Sequence, residues 1–231
     1  VQQHTVRRCD PMKTKEMISS ADPLCAGLEE EAEAVQVHPA PPRFTGLSHI
    51  CVLVEHIRTA VAYYWQLLGA EPDYCLPYWQ NEGYFQASGF LEDPEHGEVS
   101  IAYLQVPGTT LTLELVQYHY PIGRKTPLFF KANDVSGVRH VTLQVENIDE
   151  AFAYIKTVPD TRLINETEAY RVFRHSPTTP EQVCYFDQDL CKADARNDET
   201  ARRLSQIRSF SFLDKYGLQW EFEQSDPDQG V

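Results

Sequence analysis

The sequence predicts an α+β fold in which two tandem βαβββ modules form a curved sheet around a cleft, preceded by an N-terminal extension. Two observations carry this. The segment LSHICVLVEHIRTAVAYYWQLLGA is echoed by VRHVTLQVENIDEAFAYIKTV, and both run from strand through a polar break into a helix with aromatic residues on its apolar face. The order His49, Glu114, His140, Glu221 states one pattern twice, each residue lying in a short alternating apolar segment: LSHICVLV, TTLTLELVQ, GVRHVTLQV and YGLQWEFEQ.

Residues 1–43 form an expected N-terminal arm. It carries the acidic run from Leu28 to Glu33 and ends in the Pro-rich HPAPPR, which favours extended backbone. Short helices are expected near Lys13 to Ser19 and Ala26 to Ala34. The first module, 44–136, opens with a strand at about 46–54. A helix from Ile57 to Leu68 follows, with Val61, Tyr64, Trp65 and Leu68 at helical spacing and Gly69 as its C-terminal cap. Three strands are then expected near 82–87, 98–106 and 110–117, with Pro107-Gly108 turning the last hairpin. The second module, 137–231, begins with a strand at Val138, and its helix starts after Asn147, an N-cap followed by Asp149 and Glu150. Strands near 170–175, 182–187, 207–213 and 217–222 complete it, interrupted at about 188–205 by a polar helical insertion, DARNDETARRLSQI.

Two imidazoles and two carboxylates from four strands can surround a divalent ion and leave positions open for substrate. The alternative is four ordinary strand residues, the histidines satisfied by core hydrogen bonds and the glutamates turned to solvent. The duplication favours the metal site. His96 and His119, near strand ends, read as surface residues or supports. The aromatics Tyr78, Trp79, Tyr84, Phe85, Tyr118 and Tyr120 either fill a core or line an apolar pocket.

A formal net charge of -14 excludes nucleic acid as partner, since phosphate binding needs concentrated Lys and Arg. Anionic small molecules stay open if Arg124, Lys125 or Arg139 faces the pocket. No apolar run reaches the roughly 18 residues of a membrane span, so no membrane insertion is expected. The cysteines show no C-x-x-C pair. Cys51 reads as a small buried hydrophobe, while Cys184 with Cys191, and Cys9 with Cys25, suit disulfides if the protein is exported. An exported or periplasmic place is expected over a cytoplasmic one, because the chain begins at Val1 as it would after removal of a signal.

GLSHICVLVEHIRTAVAYYWQLLGA, LTLELVQYHYPIG, GVRHVTLQVENIDEAFAYI and FLDKYGLQWEFEQ, over about residues 44–224, resemble the vicinal oxygen chelate superfamily, which includes glyoxalase I, methylmalonyl-CoA epimerase, fosfomycin resistance enzymes and extradiol dioxygenases. The last segment is similar to the family's D-x-x-G-x-x-x-E turn, here Asp214, Gly217 and Glu221. The resemblance implies a metal-centred cleft with His49, Glu114, His140 and Glu221 as ligands to one divalent ion (Zn, Ni, Co, Fe or Mn). It also implies a small-molecule substrate and a homodimer. PEHGEVSIAYLQ and GRKTPLFFKANDVSGVRH extend the similarity toward the epimerases. There a second carboxylate works opposite the metal-bound one, and this sequence places Ser100 at that position, with Glu98 two residues earlier.

The implied activity is that of a glyoxalase-like or epimerase-like isomerase or lyase. It acts on vicinal oxygens through an enediolate-type intermediate, with Glu114 or Glu221 as catalytic base and the other kept as ligand. A dioxygenase of the same superfamily is the first alternative, and a ligand-sequestering resistance-type protein without catalysis the second. A third is an assembly made mainly structural by an arm swapped between subunits.

Overall fold

A computed structural model describes residues 44–127, 129, 135, 137–183, 185 and 194–225. The expected helices of the arm and the cysteine pairs Cys9/Cys25 and Cys184/Cys191 fall outside these residues. The described residues divide into two compact units, one within 46–173 and 208–224, the other including those of 174–207.

In the larger unit, β1 (Ile50–Leu53), α1 (Ile57–Leu68), β2 (Glu71–Trp79), α2 (Glu82–Ala87), β3 (Glu98–Gln105) and β4 (Thr112–Tyr120) follow in order. Their sheet runs β1-β4-β3-β2, with β1 parallel to β4 and the other pairs antiparallel. Helix α1 ends as its sequence predicts: Gly69 adopts φ 66° and donates its N–H to the Trp65 carbonyl at 2.9 Å. Its buried face is Ala60, Tyr63, Tyr64 and Leu67, so Trp65, expected inside, stands 64% exposed.

The strand expected at 82–87 is helix α2, and the strand expected at 46–54 shrinks to β1. Asn81 decides the first point, its side chain accepting the Tyr84 N–H at 2.9 Å as an N-cap. The strand that fills the place is β2, where Pro72 and Pro77 conceal a β signal and register shifts break the ladder. Phe85 of α2 is fully buried against Val99, Ile101 and Val116. Gly97 lets it in, because a Cβ there would sit 2.4 Å from the Phe85 ring.

The second module places β5 (His140–Gln144), α3 (Ile148–Ile155), β6 (Arg162–Leu163), β8 (Arg208–Leu213) and β9 (Gln219–Gln224) in a sheet ordered β5-β9-β8-β6, with β5 parallel to β9. The strand expected at 170–175 is reduced to β7 (Phe173–Arg174), and Pro180–Gln182 forms a single 3₁₀ turn where the next was expected to begin. Asn147 caps α3 through the N–H groups of Asp149 and Glu150.

The two modules share one core. Val52, Tyr64, Leu104 and Leu113 of the first pack in the same cluster as Ile148, Ile155, Phe212 and Trp220 of the second. Each such side chain contributes roughly 1.5–3 kcal/mol on burial. A single cross-module hydrogen bond contributes about 1 kcal/mol, so packing dominates the join.

In the smaller unit, α4 (Asp194–Gln206) is the helix expected in the insertion. Its Ser205 hydroxyl donates to the Ala201 carbonyl at 2.7 Å and accepts the Thr178 N–H at 2.8 Å. Among the described residues no helix is long and apolar enough to cross a membrane.

Candidate metal centre

Each histidine and glutamate of the repeat is set by a parallel strand pair. His49 immediately precedes β1, and Glu114 on β4 lies opposite Cys51, two residues further along. His140 opens β5, and Glu221 on β9 lies opposite Thr142, again two residues further along. Alternation puts each histidine on the sheet face of its glutamate. The contacts agree: His49 Nε2 is 3.2 Å from Glu114 Oε2, and His140 Nε2 is 3.3 Å from Glu221 Oε2.

The backs of the pairs are duplicated too. Three residues after each glutamate, Gln117 accepts the Ile57 N–H at 2.8 Å and Gln224 accepts the Ile148 N–H at 3.3 Å. Both amides satisfy the first turn of the helix behind the sheet. His56 makes no side-chain cap bond at α1, so Gln117 takes over that role from the other strand.

The fronts differ. Glu114 is buried and accepts the Tyr103 hydroxyl on Oε1 at 2.5 Å. Tyr103 stacks on Tyr74 at 4.6 Å and meets the His49 ring edge-on at 5.9 Å. Partial burial, then the bond to Glu114, pushes the Tyr103 phenol well above its usual range. Cys51 is exposed over the residue as a whole, not buried as the sequence suggests. Its thiol is crowded against the Glu114 carboxylate, and loss of water and then that negative charge push it up to about 12. Glu221 is less enclosed, and its Oε2 also accepts the Thr142 hydroxyl at 3.3 Å.

Two ligands at right angles about 2.1 Å from one ion stand about 3.0 Å apart, so each His–Glu pair fits as half of a nitrogen and oxygen donor set. Among the described residues the four do not close into one group with all donor atoms within 4.8 Å; the group that does is Asp93, Glu95 and His96. That trio is already satisfied internally, His96 Nδ1 lying 2.5 Å from Asp93 Oδ1.

Of the other residues singled out by sequence, Tyr84 lies near enough to Glu114 for that charge to add to the rise that burial and Tyr118 impose on its phenol, and most of the rest fall away from the pairs. Ser100 pairs with Gln117, so both lie on the sheet face opposite Glu114 and Tyr103, and Ser100 bonds to His119 Nε2 at 2.8 Å. Glu98 accepts from Gln80 at 3.1 Å. Trp79, Tyr84 and Tyr118 pack on Phe85 as core, while Tyr78 stacks on His119 and Tyr120 donates to Asp93. Arg124 and Lys125 are exposed, the latter 3.6 Å from Glu55, and Arg139 is half-buried beside His140. An open cavity of about 400 Å³, lined by Trp65, Leu68, Pro107, Leu143 and Tyr154, contains none of the four predicted ligands.

Tyr103 and Tyr74 were not predicted from sequence. Counting outward from a two-residue turn at Pro107-Gly108 would place Tyr103 opposite Thr112; the turn is four residues long, 107–110, closed by the Val106 N–H on the Leu111 carbonyl at 3.0 Å, and this places Tyr103 opposite Glu114.

Residues 46–158 match the family described as the Glyoxalase/Bleomycin resistance protein/Dioxygenase superfamily. The segment 46–158 belongs to this superfamily. The superfamily match spans His49, Glu114 and His140, and Glu221 lies beyond it. A glyoxalase family protein from Bacillus cereus shares the fold with TM-score 0.53 and 14% identity, over 81% of this chain and 99% of that one. Mitochondrial methylmalonyl-CoA epimerase from Homo sapiens is 28% identical over 48% of this chain and 52% of the relative. The Bos taurus protein of that name is 30% identical over the same shares. The chain thus spans about half the length of the curated relatives it matches.

Proposed function

We propose that this protein is a metal-dependent isomerase or lyase that moves a proton on a small substrate carrying two adjacent oxygens. One observation carries the reading: the same His–Glu register, parallel strand and helix-capping glutamine occur once in each module. Core-satisfied strand histidines would not repeat with that register.

His49, Glu114, His140 and Glu221 would hold the ion, which when bound supplies Lewis-acid charge to the substrate oxygens. The protein's own part is proton transfer. Glu114 is fixed on both oxygens, through Tyr103 and His49. Glu221 takes both contacts on Oε2, and no hydrogen bond reaches Oε1 among the described residues. Glu221 Oε1 is therefore the base, taking a proton from carbon and returning it to the neighbouring carbon. A single carboxylate suffices for that shift.

A second reading, epimerisation of an acyl thioester, is favoured by the 28–30% identity to methylmalonyl-CoA epimerases. It requires a proton donor on the far side of the carbon, a task Ser100 cannot perform from the opposite sheet face.

Elemental analysis of the purified protein beside His140→Ala tests the site. One divalent ion per chain, lost in the variant, is expected. No ion, even after incubation with Zn, Ni or Fe(II), overturns the reading in favour of a ligand-sequestering protein. Assays in D₂O with 2-oxoaldehyde conjugates and then acyl-CoA thioesters separate the two reactions, since a one-base shift retains part of the substrate hydrogen.

A further inference from the structure

The two carboxylates of the candidate centre are chemically alike and differently held, and one side chain accounts for most of the difference. Tyr103 is the antiparallel partner of Glu114, so the two side chains leave the sheet side by side. Its hydroxyl occupies Oε1 at 2.5 Å, and Oε2 is left facing His49 Nε2 at 3.2 Å. The ring cannot swing away readily, because it is stacked at 24° on Tyr74 and set edge-on at 75° to His49. In the second module the residue opposite Glu221 on the antiparallel strand is Ser211, whose backbone N–H and carbonyl both bond the Tyr170 hydroxyl. The Tyr170 phenol near Glu221 is thus engaged by backbone, and among the described residues no phenol bonds the Glu221 carboxylate.

We propose that Tyr103 is a positioning residue that restricts Glu114 to ligation through Oε2 alone. This rests on the metal-centre reading above. A carboxylate oxygen that already accepts a phenol is a weaker donor to an ion, so the bond on Oε1 favours one-oxygen ligation through Oε2 and keeps a coordination position open for a substrate oxygen. The same bond keeps Glu114 from acting as the base and leaves that role to Glu221. The repeat thus supplies two equal ligand pairs, and Tyr103 makes them unequal.

Tyr103→Phe tests this, because the ring and its packing on Tyr74 and His49 are retained while the hydroxyl is lost. The probe is Co(II), followed by calorimetric titration and by the intensity of its visible absorption bands, which reports coordination number. Removing an outer hydrogen bond to a ligand typically costs 10–100-fold in metal affinity, so Kd is expected to rise roughly tenfold, with altered bands and a Tm lowered by no more than about 4 °C. Tyr74→Ala removes the stacking partner and keeps the hydroxyl, and its Kd is expected to change less. Wild-type Kd and bands in Tyr103→Phe overturn the proposal and leave the metal centre standing. An equal loss in Tyr74→Ala also overturns it, since packing and not the hydroxyl would then be responsible. A wild-type protein that binds no Co(II) overturns the metal-centre reading itself, and the role of Tyr103 with it.

Discussion

The Tyr64 hydroxyl donates to Asp214 Oδ2 at 2.7 Å, joining the helix of the first module to the last turn of the second across 150 positions of sequence. Asp214 is buried and also accepts the Trp220 indole N–H at 3.0 Å on the same oxygen, and the N–H groups of Tyr216 and Leu218 on Oδ1. Gly217, at φ 88°, makes the turn these bonds require. The carboxylate therefore shapes the loop that delivers β9, and with it Glu221.

Removing one donor and reversing one acceptor should differ in cost. Tyr64→Phe leaves Asp214 three of its four donors and is expected to lower unfolding free energy by about 1 kcal/mol. Asp214→Asn sets an amide against the Trp220 N–H, which can only donate, at about 3 kcal/mol. Urea denaturation of the two variants reads both values, and equal losses would refute this account of Asp214.

Stability should also carry a pH signature of Asp214. Burial pushes its carboxyl above the ordinary value of 3.8, with the donors from Trp220 and Tyr64 pulling the other way. The folded state then holds the proton more tightly than the unfolded state. This contribution to stability is full below 3.8 and is lost as pH rises through the folded value. Urea midpoints measured from pH 3 upward should show that falling component in wild type and not in Asp214→Asn.

Glu221→Gln and Glu114→Gln should separate base from ligand. Loss of a general base typically costs 10²–10⁴-fold in rate, so Glu221→Gln is expected to lower kcat by about that factor while most metal binding survives. Glu114→Gln is expected to act mainly on metal affinity. Retained turnover in Glu221→Gln would remove it from the base role.

Cys51 offers a chemical reporter of Glu114. With its thiol pushed up to about 12, metal-free protein should alkylate at Cys51 much more slowly than an unperturbed thiol. Burial is the larger cause and the Glu114 charge the next, so Glu114→Gln should recover only part of the rate. Peptide mapping after iodoacetamide treatment measures this, and equal labelling of both proteins would show that Glu114 does not act on the thiol.

Much of the first module was legible because its signals are local. The Ile57 to Leu68 periodicity ends at a glycine that takes the left-handed conformation, and Asn147 caps the helix it precedes. The misreadings came from residues whose local signal and tertiary role conflict. Pro72 and Pro77 disguised β2, and the apolar YFQA of α2 resembled a strand until Asn81 is seen to cap it. The His–Glu partnerships could be ordered from sequence, but their two-residue offset depends on parallel pairing between strands some 60 to 80 positions apart. Ser100 shows the limit of placing a residue by position alone. Its strand was correct, yet an odd spacing from Tyr103 turns it to the other face.

The same prolines that hid β2 have a consequence for how the protein behaves in a crowded solution. β2 is the outer strand of its sheet, largely exposed along its length, with Tyr74 and Tyr78 facing outward. A long open edge of this kind ordinarily invites another chain to add itself as a further strand. Pro72 and Pro77 each lack an N–H to offer, and the register shifts between Pro72 and Tyr74 and between Leu76 and Trp79 break the edge into short pieces. Tyr74, which supports Tyr103, is thereby carried on a border that resists fibrous self-association.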